Sequence, residues 1–143
     1  MSVPPSARAA FSQQDLGKLI LRLTLGLLLL LHGIAKLGNG VDAISGRLGQ
    51  AGLPPAVAYL VYVGEVIAPI LIVMGLFTRP AALVVVVNML VAISLVHIGQ
   101  LATLSKAGGW ALELQGFYLF TALSLAVLGA GRYSVGGANG RWN

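Results

Sequence analysis

Seven side chains in this 143-residue sequence could do chemistry, and all of them sit in strongly apolar surroundings. Arg22, His32 and Lys36 fall in LRLTLGLLLLLHGIAKL, Glu65 in a run of Val, Ile and Ala, and Asn88 and His97 in VVVVNMLVAISLVHI. Glu113 opens a further apolar stretch. Ionisable groups inside such runs are costly, so they face a partner or a wet cavity. His32 and Lys36, four residues apart, share a helix face. Two carboxyls, two imidazoles and an amine are a set that can relay protons, grip a polar head group, or neutralise one another.

The elements that must hold them follow from hydropathy. The chain is 57% hydrophobic and 9% charged, with mean hydropathy +0.90, against about 25% charged for a soluble domain. This composition predicts an all-α membrane protein. Apolar runs at 19–37, 56–77, 81–101 and 110–130 predict four transmembrane helices in a single four-helix bundle over 18–135, because a hydrocarbon core demands about 20 residues per span. The run at 19–37 also fits a signal peptide, with Arg8 and Lys18 ahead of it, but it is long for one and more spans follow. Residues 1–17 and 136–143 read as cytoplasmic tails, the second Gly/Asn-rich and mobile.

The periplasmic loops are 38–55 and 102–109. In the first, Val41, Ile44 and Leu48 recur at helical spacing and predict a short interfacial helix. Pro69 removes the backbone bond that would have gone to the Glu65 carbonyl, leaving a free carbonyl and a carboxyl at one level. Gly26 and Gly33 lie on one face and permit a close neighbour.

Four spans put both termini on one side. That side carries Arg8, Lys18, Arg79, Arg132 and Arg141, the other Arg47 and Lys106. The bias places the termini in the cytoplasm. Counting about 1.5 Å per residue from the middle of each span puts Glu65 roughly 3 Å, His32 6 Å, His97 and Glu113 10 Å and Lys36 12 Å outside the midplane. Glu65 is therefore expected within bonding distance of Lys36 or His97. Arg22, alone near the inner edge, is expected to snorkel to lipid head groups. Asn88 is nine residues from His97, on the opposite face of an ideal helix, and is expected to point away and bond another helix or another subunit.

Several chemistries are set aside. The net charge of +5 is scattered between apolar runs, which suits membrane anchoring and not nucleic acid. There is no cysteine, so no disulfide exchange or thiolate metal site resides in the chain. A zinc set of His32, His97, Glu65 and Glu113 has allowed ligand types, but Lys36 opposes it; no metal is expected. Two histidines alone do not make a haem site. No P-loop, HExxH, GxSxG or CxxC motif occurs.

The runs LRLTLGLLLLLHGIAKL, GEVIAPILIVMGLFTRPAAL, MLVAISLVHI and GAGRYSV, in this order and spacing, resemble the DoxX family of small bacterial membrane proteins. The resemblance covers roughly residues 19–135. The family's polar marks fall on Arg22, Gly26, His32, Gly33, Lys36, Glu65, Gly75, Arg79, His97 and Gly131-Arg132-Tyr133-Ser134. The resemblance implies a four-helix inner-membrane protein and an association with quinone-coupled or oxidant-defence oxidoreductase systems.

Together these readings predict an accessory membrane subunit of an oxidoreductase. Glu65 and His97 are the candidate proton carriers, and His32, Lys36, Glu113, Arg22 and Asn88 the candidate binding residues. No intrinsic cofactor is expected, and a quinone is the candidate ligand. Membrane lipid, an oxidoreductase protein and a second copy of the chain are the candidate partners. The alternatives are a carrier or binding protein for a small amphiphile, and a non-catalytic scaffold.

Overall fold

The computed structural model describes residues 5–137, 140, 142 and 143, with side chains from residue 13 onward. The described residues are helical, with one isolated β-bridge between Leu104 and Trp110 and no named strand. Three helical stretches are long and apolar enough to cross a membrane: Gln13–Asn39, Pro55–Met74 and Thr78–Gln100.

Helix α1 (Pro5–Asn39) has 35 residues, about 52 Å of rise. It therefore starts well before the apolar run, and 5–17 continues it instead of forming a separate tail. Leu-rich sequence without proline carries it to Gly40, which takes φ +79° and returns its N–H to the Lys36 carbonyl. One face, Arg22, Leu25, Gly26, Leu29 and Gly33, is buried, while Leu27, Leu31 and Ile34 point outward. Helix α2 (Asp42–Gln50) is the short helix expected in the first loop. Asp42 in its first turn and Arg47 in its last suit the helix dipole. Val41 and Leu48 bury against Ala58.

The second long stretch is not one regular helix. A 3₁₀ segment (Pro55–Leu60) starts behind Pro54, a π turn follows at Val63–Ile67, and helix α3 (Ala68–Met74) completes it. Pro69 has no N–H to give, and the chain widens here, with the Ala68 N–H reaching the Val63 carbonyl. Gly75 ends α3 with φ +71° in a Schellman arrangement: Leu76 N–H donates to Leu71 and Gly75 N–H to Ile72. The helix thus ends at Met74, earlier than the hydrophobicity suggests.

Helix α4 (Thr78–Ala92) begins at Thr78 and passes through a second π turn (Ile93–His97) into a 3₁₀ end, Ile98–Gln100. Its first N–H groups lack partners within the helix. Asn143 supplies one: its Oδ1 accepts from the Thr78 N–H and hydroxyl, and the Trp142 carbonyl accepts from the Arg79 N–H. Residues 142 and 143 are therefore docked, contrary to the expectation of a mobile tail.

Helix α5 (Glu113–Leu128) is shorter than the run at 110–130 suggests. Its 16 residues span about 24 Å, less than the other three stretches. Residues 104–110 instead form a small turn, with Ser105 N–H donating to Gly109. Helix α5 packs along α4, and α1 along α3. Leu25, Leu29, Ile72, Ala82, Val85, Ala122 and Leu125 form the shared core. The alanines let the backbones approach, as is usual between helices in lipid.

Candidate functional site

Glu65 lies in the first π turn and is 4% exposed. Both its oxygens accept from Lys36 Nζ at 2.5 Å, and Oε1 also accepts from the Asn88 amide at 3.3 Å. Lys36 arrives from the last turn of α1, Asn88 from α4. Three separate helical stretches therefore meet on one carboxylate.

Small residues allow the meeting. A Cβ on Gly33 would overlap the Glu65 carbonyl oxygen, so α1 touches the π turn backbone to backbone. A Cβ on Gly64 would come within 2.5 Å of Asn88 Cγ. Tyr62 adds a tie, its hydroxyl donating to the Lys36 carbonyl at 3.1 Å. Gly33→Ala should therefore separate α1 from the turn carrying Glu65 and lengthen the Lys36–Glu65 contact. The expected cost is about 1–3 kcal/mol. Thermal unfolding in detergent would measure it, and an unchanged midpoint would rule out the close packing.

The pair borders a cleft of about 680 Å³ between α2, the Val57–Glu65 region and α4. Leu83, Val84, Val87 and Val91 line one wall, and Val57, Leu60 and Val61 another. Polar groups enter from Lys36, Glu65 and Asn88, from Arg47 on α2, and from His97 at the far end of α4. An apolar cavity of this size with a few convergent polar groups is the usual form of a small-molecule site.

The other sequence candidates fall elsewhere. His97 does not bond Glu65. Its Nδ1 pairs with Gln100 and its Nε2 with Gln115. His32 is exposed, bonds the Leu28 carbonyl through Nδ1, and stands edge-on to Tyr118 at 5.7 Å. Glu113 is exposed at the start of α5 beside Gly109, apart from the cluster. Similar depth thus did not mean contact. Depth arithmetic fixes height along a span and says nothing of the direction a side chain takes around it. No three His, Asp or Glu side chains converge among the described residues.

Two expectations are overturned. Asn88 faces the cluster and does not point away from it. A π turn advances less angle per residue than an α-helix, so Ile93–His97 cancels part of the half-turn that nine α-helical residues would put between Asn88 and His97. Both consequently border the same cleft. Arg22 does not snorkel. It is 1% exposed, and its guanidinium donates to the carbonyls of Ile72, Val73, Ala130 and Tyr133 at 2.7–3.0 Å. Ile72 and Val73 are in the last turn of α3, where carbonyls free of the i+4 bond and the negative end of the helix dipole attract a cation. Arg22 is thus the tie between α1, the α3 end and the segment after α5. The sequence reading also missed Arg47 and Gly64 as neighbours of the cleft, and Tyr62 as a tie to the Lys36 carbonyl. Gly64, next to Glu65, was a local hint of a close helix contact at that position.

An all-helical membrane protein with a Lys–Glu pair, its carboxylate buried, on a largely apolar cleft is the class these features define. The DoxX family model matches residues 17–98, and the chain belongs to the DoxX family. It is also 30% identical over 118 residues to a Bacillus subtilis (strain 168) protein named "Putative oxidoreductase CatD", covering 81% of each chain. No solved structure gives a significant match.

Proposed function

We propose that this protein is a four-helix component of a bacterial inner membrane, with both termini cytoplasmic, and an accessory subunit of an oxidoreductase system. In this reading α5 is the fourth span. The cleft admits an amphiphile, a quinone being the leading candidate, with its tail against Leu83, Val84 and Val87 and its head toward Lys36, Glu65 and Asn88. The cleft itself carries the proposal: its walls are apolar over most of their length and its polar groups are concentrated at a few points. The oxidoreductase name of the relative supports a redox setting.

A quinone, when bound, supplies two-electron, two-proton chemistry. This chain would hold the head, exclude water with the Val and Leu walls, and present Glu65 and His97 as proton carriers along one cleft. In this reading the electron-transfer centre belongs to a partner protein. Asn88, engaged with Glu65 in its own chain, gives no ground for a contact with a second copy.

The test is an organic extract of the protein purified from its own membranes. Wild type should carry a quinone in near-stoichiometric amount, and Val87→Trp, which fills the cleft, should lose it. Equal amounts in the two proteins would overturn the assignment of the cleft. A different amphiphile, lost on the same substitution, would favour the carrier alternative.

A further inference from the structure

One group beside Glu65 lacks a partner. Asn88 meets the carboxylate through Nδ2, as it must, because a carboxylate accepts and only the amide nitrogen donates. The amide oxygen is thereby turned to the other side. Among the described residues it has no hydrogen-bond partner, and Asn88 has no further contact of that kind. Nor is it sealed in: no buried side-chain oxygen or nitrogen among the described residues is unpaired. Asn88 is half-buried, and it and Gly64, over which Oδ1 lies at 2.8 Å from an added Cβ, both line the cleft. The cleft therefore holds an open acceptor, next to a lysine two of whose protons are directed at Glu65.

An acceptor in apolar surroundings is costly unless a donor reaches it. Lys36 keeps a third ammonium proton. A head group that both donates and accepts, as a phenolic hydroxyl does, matches this pair better than one that only accepts.

We propose that the cleft selects an amphiphile whose head donates a hydrogen bond, a phenol-type hydroxyl, which for a quinone means the reduced dihydroxy form over the oxidised one, and that Asn88 Oδ1 is the specificity-determining acceptor. This rests on the reading of the cleft as an amphiphile site. It goes further, since a site built to bond a hydroxyl discriminates against the analogue lacking it.

The experiment titrates the purified full chain in detergent with 4-dodecylphenol and 4-dodecylanisole, by calorimetry. The two probes share a tail and differ in O–H against O–CH₃. Wild type should bind the phenol at least about tenfold more tightly. Asn88→Leu should bring the two within about twofold by weakening the phenol alone. Equal affinities in wild type would overturn the role of Asn88 and leave the cleft reading standing. A preference that survives in Asn88→Leu would do the same, marking it as steric. Binding of neither probe would overturn both.

Discussion

Lys36→Met should destabilise the protein more than Glu65→Leu, although each removes one half of the same pair. Met leaves the Glu65 carboxylate, 4% exposed, with a single 3.3 Å bond from Asn88. An uncompensated buried charge costs about 3–5 kcal/mol. Leu at position 65 instead strands an ammonium whose side chain is 32% exposed. That long chain can swing toward polar surroundings, so the loss should be closer to about 1–2 kcal/mol. The double variant should recover much of the Lys36→Met loss, because an apolar pair of similar volume replaces a buried ion pair well. Unfolding of all four proteins in mixed micelles gives the coupling directly. Equal single losses, or no recovery in the double variant, would refute the asymmetry. Glu65→Gln keeps shape and acceptor, so the fold should survive while any proton-linked function is lost.

Arg22→Met should be the most damaging single change. It removes a buried fork that serves four carbonyls from two distant parts of the chain. Bonds from a charged donor contribute about 1.5–3 kcal/mol each, and the carbonyl of buried Ala130 loses that donor. A total above about 4 kcal/mol is expected, large enough to prevent accumulation of folded protein. Arg22→Lys should rescue only part, since an ammonium lacks the planar fork. Folded yield in membranes and the unfolding midpoint in detergent measure this. A midpoint shift worth less than about 1 kcal/mol would show that the carbonyls find other partners.

How much could be read beforehand depends on where each partner comes from. The helical character followed from composition and run length. That Glu65 would bond Lys36 or His97 followed from cost, since polar groups at nearby depths lower each other's penalty; which of the two it takes did not, and it is Lys36. Asn88 was misjudged because helical-wheel arithmetic assumes a constant 100° step. Two π turns, at Val63–Ile67 and Ile93–His97, break that assumption next to the cleft. Arg22 was misjudged for a different reason. Its partners lie 50 and more residues away and are backbone atoms, exposed only where helices end. The short α5 was misjudged because Trp110, Ala111 and Leu112 are apolar enough to extend a span, yet lie in the turn ahead of the helix. The cleft could not be read at all, since its walls are made by the packing of α2 and α4 against the Val57–Glu65 stretch.

The backbone partners of Arg22 have a consequence for how this fold can vary. Every residue, proline included, offers the same carbonyl, whatever its side chain. Positions 72, 73, 130 and 133 can therefore change identity without breaking their bonds to the guanidinium, provided the chain keeps its path. No compensating substitution need accompany a change at any of them. A survey of correlated substitutions should find no partner position for residue 22. The tie with the largest expected energy in the molecule would leave no trace in pairwise sequence statistics.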